Sequence, residues 1–205
     1  MIINTCSSFS SSNSLNITEN SNIYDNYIIY EKNANIINSA IESLINKNLD
    51  IIKYVKNSKK ITYNINQINI DSLNKLRTIY KNYKKNSFYL DTYPKINLNK
   101  YIERMFYYSC IEASTSIIIL CYIDRIIKNG FLLTYNNVHL TFLACFLISI
   151  KINEDYIIDY KYIANIAYTT TFNLVIIESD MLQLLDYNLL VSQEEYFKYQ
   201  LYFLD

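Results

Sequence analysis

Apolar residues recur at helical spacing along most of the chain after residue 33. In ANIINSAIESLINK, residues 34–47, they fall at Ile36, Ile37, Ala40, Ile41, Leu44 and Ile45. Spacings of three and four residues place them on one face, which predicts an amphipathic helix. Asn and Lys interrupt the period over residues 48–70, and Asp71 can cap a further helix over residues 71–83.

Beyond Pro94 the pattern predicts a domain of five helices. Their bounds are Asn97–Cys110, Ser114–Asn129 with Gly130 as the C-cap, Thr134 or Asn136 to Ile152, Tyr160–Ala167, and a last helix from the Thr169–Thr171 run to Asp186. The third, containing VHLTFLACFLISIKI, is apolar on nearly every side, which is typical of the buried centre of a bundle. Another helix is expected to open at Ser192, where Ser-Gln-Glu-Glu forms a capping box.

The turn-forming residues set the fold class. The 205 residues include one Gly and one Pro. Hairpin-rich β folds and phosphate-binding loops both depend on glycine, whereas a helical chain needs it only at some helix ends, where Asn can replace it. We therefore expect an all-α fold without a P-loop or dinucleotide site.

Histidine and cysteine usage argues against a metal centre, a bound cofactor or an enzyme. His139 is the single histidine, so it alone would have to serve any nucleophile–base pair. The four cysteines show no CxxC pairing and are typical of small apolar residues in a reducing compartment. Residues 1–28, rich in Ser and Asn, predict a disordered tail without a secretory leader, and the longest uncharged apolar run, residues 140–150, is too short for a membrane span. A soluble, intracellular protein is expected.

Charge is unevenly distributed although the net charge is zero. Residues 31–100 carry 13 Lys and Arg against 5 Asp and Glu, while residues 101–205 carry 6 against 12. A basic segment can indicate a nucleic-acid surface. Here the heavy use of Asn, Ile, Lys and Tyr is typical of an AT-rich genome, so nucleic acid is not the expected partner.

Two adjacent charges, Asp124 and Arg125, interrupt the dense apolar run of CYIDRII. A buried carboxylate needs a partner, and Arg104 in YIERMF is the only arginine of the preceding helix. One interpretation is a bidentate Arg104–Asp124 ion pair between the first two helices of the domain. The other is that both charges lie on an exposed rim.

Lys151 and Glu178 are two further charges in apolar surroundings. Lys151 ends the most apolar helix, where it would interact with the helix dipole and extend to water. Glu178 follows Val175, Ile176 and Ile177, and by itself it is an ordinary solvated carboxylate.

Four segments in this order, YIERMF, CYIDRII, NVHLTFLACFLISIKINED and IIESDMLQLLDYNLLVSQEEYFKY, resemble a cyclin box. The likeness is greatest to the P-type, or U-type, cyclins, whose phosphate-signalling relatives are single-box regulators of cyclin-dependent kinases. It implies a cyclin-box five-helix bundle over residues 94–190, an N-terminal helical extension over residues 29–93 and a C-terminal helix over residues 191–205.

The resemblance also assigns roles to individual residues. Arg104 and Asp124 match a structural ion pair of cyclins. Lys151 and Glu178 match the two charges through which cyclins reach the mobile C-helix of the kinase. The positions of apolar kinase contacts are matched by Ile152, Leu182, Tyr187 and Leu189.

Three departures from the family pattern limit what can be carried over. His139-Leu140 stands where cyclins have His-Arg, and Ala167-Tyr168 stands where a Gly-Gly is usual. The chain has no Trp, so we do not expect it to recruit substrates through the groove that a tryptophan lines in cell-cycle cyclins.

The expected function is that of a non-catalytic regulator that binds and activates a cyclin-dependent kinase, in cell-cycle or nutrient-signalling control. The alternative is a cyclin-fold module that binds nucleic acid or transcription factors, as in the general initiation machinery.

Overall fold

The computed structural model describes residues 16–58, 78–79 and 84–204. Within these ranges lie seven helices of seven residues or more and no strand: α1 (Asn16–Ser58), α2 (Leu98–Ser109), α3 (Ala113–Lys128), α4 (Val138–Asn153), α5 (Tyr160–Ile166), α6 (Thr171–Leu184) and α7 (Gln193–Leu204). The all-α prediction is confirmed. Of the helix predicted over residues 71–83, only Thr78 and Ile79 are described, and both are helical.

Helix α4 is the centre of the bundle, as its uniformly apolar sequence predicts. It packs against α2, α3 and α6, and its buried residues run without a polar face from Leu140 to Ile150. Three phenylalanine rings, Phe106 of α2 with Phe142 and Phe146 of α4, lie within 6.3 Å of one another and are fully buried. Helices α2–α6 thus form the five-helix bundle around one core.

Helix α1 is longer than the sequence pattern predicts. Its residues Ile37, Ile41 and Ile45 are fully buried where α1 packs on α2. The helix begins at Asn16, so residues 16–28 are helical, whereas the sequence analysis assigns them to a disordered tail. The Tyr27 hydroxyl donates to Glu103 Oε1 of α2 at 2.7 Å. A contact of this kind anchors the helix upstream of its apolar stripe, and extending an existing helix adds one hydrogen bond per residue.

Two helix starts also differ from prediction, and at one of them a distant residue binds the helix end. Ser114 was expected to cap α3, but α3 begins at Ala113, and Glu154 caps this end by accepting from the Glu112 N–H at 2.9 Å and from the Thr115 hydroxyl. Helix α4 begins at Val138, after Asn137, not at Thr134 or Asn136.

Four helix ends have a left-handed residue that turns the chain away: Cys110 after α2, Gly130 after α3, Tyr168 after α5 and Asp186 after α6. At the end of α3, Gly130 has φ 95°, and the N–H groups of Gly130 and Phe131 donate to Ile127 O and Ile126 O, both at 2.9 Å. This is a Schellman motif, in which glycine is favoured. The predicted role of Gly130 is confirmed.

The same motif closes α5 and α6 without glycine. Tyr168, with φ 54°, follows α5, and Asp186, with φ 50°, follows α6. Thr169 N–H donates to Ala164 O and Tyr187 N–H donates to Leu182 O, both at 2.9 Å. Asparagine was expected at such ends, but Tyr168 and Asp186 occupy them. A side chain in this conformation costs about 1–2 kcal/mol relative to a right-handed residue.

The predicted Arg104–Asp124 ion pair is absent. Arg104 donates from Nε to the carbonyl of Ile166 at 2.8 Å, while the Asp124 carboxylate bonds Lys128 Nζ at 2.6 Å and accepts from the Tyr199 hydroxyl. The two side chains do not meet because they point to different helices: Arg104 extends to the end of α5, whereas Asp124 faces α7.

Asp124 and Arg125 together attach α7 to α3. Glu195, one turn before Tyr199 on α7, forms an ion pair with Arg125 at 2.7 Å. Glu195 and Tyr199 are four residues apart and therefore lie on one face of α7. This face contacts both Arg125 and Asp124 of α3. Burial raises the pKa of Asp124, but the bonds from Lys128 and Tyr199 outweigh it, and the pKa lies below its usual 3.8. Asp124 is therefore charged at neutral pH.

We expect Tyr199→Phe to lower the free energy of unfolding by roughly 1–2 kcal/mol, because it removes a hydrogen bond to a charged group. Urea denaturation measures the change. Tyr202→Phe is the matched control, since Tyr202 lies on the same helix and is 61% exposed. Equal losses in both variants would show that the Asp124–Tyr199 bond does not hold α7.

His139 is expected to make stability depend on pH. Its Nε2–H donates to Ile96 O at 3.2 Å, and the buried Nδ1 has no partner, so the ring is neutral. Burial lowers the pKa of His139 below 6.5, and the bond to Ile96 opposes this only partly. As the pH falls, His139 is therefore protonated in the unfolded chain before it is protonated in the folded chain. The free energy of unfolding decreases as the pH drops below about 6.5, until the folded-state pKa is passed. His139→Gln should remove this slope in denaturation curves between pH 7.5 and 5, and an unchanged slope would assign it to other groups.

Candidate functional site

The structure brings Lys151 and Glu178 together, although 27 residues separate them along the chain. Lys151 lies in the last turn of α4 and Glu178 in the middle of α6, and because these helices pack side by side the two groups form an ion pair. The Lys151 side chain is 39% exposed and that of Glu178 is 13% exposed. The pair therefore lies at the surface, with its carboxylate half largely enclosed.

Tyr160, the first residue of α5, completes this site and was missed by the sequence analysis. Its hydroxyl donates to Glu178 Oε2 and accepts from Lys151 Nζ, which lies 4.9 Å from the centre of the tyrosine ring. The side chain of Asp159 caps α5 by accepting from the Lys161 N–H at 2.8 Å, which fixes where Tyr160 emerges. With 22 tyrosines in the chain, no sequence signal distinguishes this one.

Hydrogen bonds within the cluster shift the pKa values of Lys151 and Tyr160. Burial lowers the pKa of Lys151, but the bonds to Glu178 and Tyr160 outweigh it, and the pKa lies above 10.5. Burial and the bond to Glu178 raise the pKa of Tyr160 above 10. At neutral pH Lys151 is thus an ammonium and Tyr160 a neutral phenol.

The predicted apolar contact residues differ in how far their side chains are exposed. Ile152 is 49% exposed and Tyr187 is 66% exposed, whereas Leu182 and Leu189 are half-buried. Leu182 lies four residues after Glu178 on α6, so both side chains belong to the same face. The structure places Tyr187 beside it, since the Tyr187 N–H bonds the Leu182 carbonyl.

Side chains of α3 fix the segment that carries Tyr187 and Leu189. The buried Tyr122 donates its hydroxyl to Leu189 O at 2.8 Å. Arg125 donates to the carbonyls of Asn188 and Leu190, the latter at 3.1 Å. Segment 185–191 has no regular secondary structure, so these bonds satisfy its carbonyls and hold it in one conformation.

The chemistry of this surface is that of recognition. It offers a neutralised but accessible ion pair next to exposed apolar side chains. Across the described ranges, no group of three or more His, Cys, Asp or Glu could hold a metal ion, and no helix is long and apolar enough to cross a membrane.

Comparison with known proteins gives the same family as the sequence pattern. Two cyclins of Arabidopsis thaliana are similar to this chain: Cyclin-U3-1 is 31% identical over 104 residues, and Cyclin-U1-1 is 30% identical over 101 residues. The matches cover 50% and 48% of this chain, and it spans about half the length of these relatives, 47% and 48%. The family model described as cyclin matches residues 4–189. With an all-α bundle and a match over most of its length, the chain belongs to the cyclin family.

Proposed function

We propose that this chain is a non-catalytic regulatory subunit that binds a cyclin-dependent protein kinase through the Lys151–Tyr160–Glu178 cluster and its apolar neighbours. The observation that carries the proposal is an ion pair held at the surface between α4 and α6, with the exposed Ile152 directly after Lys151 in the chain. Exposed apolar residues beside an ordered polar group are typical of a protein interface, with an apolar centre and a small number of oriented polar contacts.

The bonding of the cluster suits a surface that becomes buried on association. Burying a charge without a partner carries a large desolvation penalty, and the penalty is smaller for a charge that already has its counter-ion. Lys151 carries three N–H donors, of which Glu178 and Tyr160 each accept one. One donor remains for an acceptor on the kinase.

Activation would follow from biasing a two-state element of the kinase. Packing of α4, α6 and segment 185–191 against the kinase C-helix would hold that helix inward, where its glutamate pairs with the catalytic lysine and the metal-binding aspartate is aligned. The size of this effect is limited by the difference in affinity for the two kinase states. Such a subunit acts in the nucleus or cytoplasm, in cell-cycle or nutrient-signalling control.

Lys151→Ala is expected to weaken kinase binding by roughly 2 kcal/mol or more, about thirtyfold in Kd, because it leaves Glu178 unpaired under the partner. The chain is expressed with an affinity tag in eukaryotic cells, the captured kinases are identified by mass spectrometry, and Kd is measured by biolayer interferometry. The matched control is Lys53→Ala, which removes a lysine from the exposed ion pair with Asp50. Capture of no cyclin-dependent kinase by the unaltered chain would refute the proposed function, and equal binding by both variants would refute the assigned surface.

Tyr160→Phe tests whether the hydroxyl orders the two charges. The ring, which packs beside Lys151, is retained, so the melting temperature should change by no more than a few degrees. Loss of the two hydrogen bonds should weaken kinase binding by roughly fivefold, less than Lys151→Ala does. Wild-type affinity in this variant, together with a loss in Lys151→Ala, would show that the ion pair is ordered without Tyr160.

A further inference from the structure

A second polar group lies at the other end of α5, away from the proposed kinase surface. Arg104 of α2 donates from Nε to the carbonyl of Ile166, the last residue of α5, at 2.8 Å. Terminal helix carbonyls lack a partner within the helix and carry partial negative charge, so a guanidinium is well suited to this position. Tyr160 and Ile166 begin and end the seven-residue helix, and the two sites are thus roughly 10 Å apart along it.

Two tyrosine rings hold the guanidinium of Arg104 in one orientation. Its central carbon lies 4.4 Å from the centre of the Tyr168 ring and 5.2 Å from that of Tyr108. Neither Nη atom donates to an acceptor within the described part of the chain, and neither is enclosed. The fork of Arg104 is therefore oriented, unpaired and open to solvent.

Tyr168 occupies its position at a conformational cost that the fold does not explain. It is the left-handed residue of the Schellman motif after α5, where glycine is favoured, and its side chain is 72% exposed. A strained residue that contributes little burial is a reason to look for a functional role. The visible contact of this ring is with Arg104.

Further tyrosines extend this surface. Tyr108 is 46% exposed and Tyr162 is 43% exposed, and the Tyr162 hydroxyl donates to the Tyr108 carbonyl at 2.7 Å. Tyr156, also 43% exposed, donates to Ser109 O at 2.9 Å. These two hydrogen bonds tie the Tyr156 and Tyr162 rings to the last turn of α2, which also carries Tyr108.

We propose that Arg104, Tyr108 and Tyr168 form a binding site for the carboxylate of an Asp or Glu in a protein segment that is apolar on either side of it. A planar guanidinium whose two Nη amino groups are both free can bind a carboxylate in bidentate geometry. The tyrosine rings would pack on the flanking apolar residues. Phosphorylated residues are usually recognised by clusters of arginine, and this site contains one guanidinium, which fits a carboxylate better. The site goes beyond the proposed kinase surface and can be tested without a kinase.

The experiment titrates the free chain with three synthetic peptides and follows the Arg104 Nε–H resonance by NMR. The first is acetyl-Ala-Phe-Glu-Phe-Ala-amide, and in the others Gln or phosphoserine replaces Glu. We expect saturable binding of the Glu peptide and at least about tenfold weaker binding of the Gln peptide. Absence of saturable binding, or equal affinity for Glu and Gln, overturns the proposal. Tighter binding of the phosphoserine peptide by about tenfold overturns the assignment to a carboxylate.

Two variants separate binding from folding. Arg104→Lys keeps the charge but loses the bidentate fork, so the Glu peptide should bind about tenfold more weakly. Tyrosine fluorescence measures the affinity of this variant, because the Arg104 resonance is lost with the side chain. Tyr168→Gly relieves the left-handed strain, so its melting temperature should equal or exceed that of the unaltered chain. The same variant should bind the Glu peptide about threefold more weakly or less tightly still, because the ring of Tyr168 beside Arg104 is lost. Unchanged peptide affinity in both variants would remove these residues from any binding site.

Discussion

The attachment of α7 and segment 185–191 to α3 depends on two neighbouring charges, Asp124 and Arg125. Asp124 accepts a hydrogen bond from the hydroxyl of Tyr199. Arg125 forms an ion pair with Glu195 and donates to two carbonyls of segment 185–191. One short stretch of α3 thereby orders both a terminal helix and an irregular segment. The cost of placing charges in an apolar helix is offset because every one of them has a specific partner. The bonds from Arg125 to Asn188 and Leu190 hold in one conformation the part of segment 185–191 that contains Leu189.

The short helix α5 connects the two surfaces for which we propose functions. Tyr160 at its start orders the Lys151–Glu178 pair, and the carbonyl of Ile166 at its end orients Arg104. Both sites rely on tyrosine, in one case as a hydrogen-bonding bridge and in the other as a ring beside a cation. In a chain with a single glycine, a tyrosine also closes α5 in the left-handed conformation, and this places its ring on Arg104.

Much of the fold could be predicted because helical periodicity is a local property. The five helices of the domain lie within a few residues of their predicted bounds, and α4 was identified as central from its uniformly apolar surface. Two of the differences from prediction involve a distant residue. Glu154 caps α3 from 42 residues away, and Tyr27 ties α1 to Glu103 across 76 residues. No window of sequence contains both partners of such a bond.

The sequence by itself determined the all-α class, the central helix and the family resemblance, and it singled out the charged residues in apolar surroundings. Only the tertiary structure decided which partner each charge takes: Asp124 pairs with α7 and not with Arg104, Tyr160 joins Lys151 and Glu178, and Arg104 keeps a free fork. The physical reason is that periodicity assigns a residue to a helix face, whereas its partner depends on how neighbouring helices are rotated and offset. The partners of Arg104 and Asp124 on the other helices lie 62 and 75 residues away along the chain, beyond the reach of any local pattern.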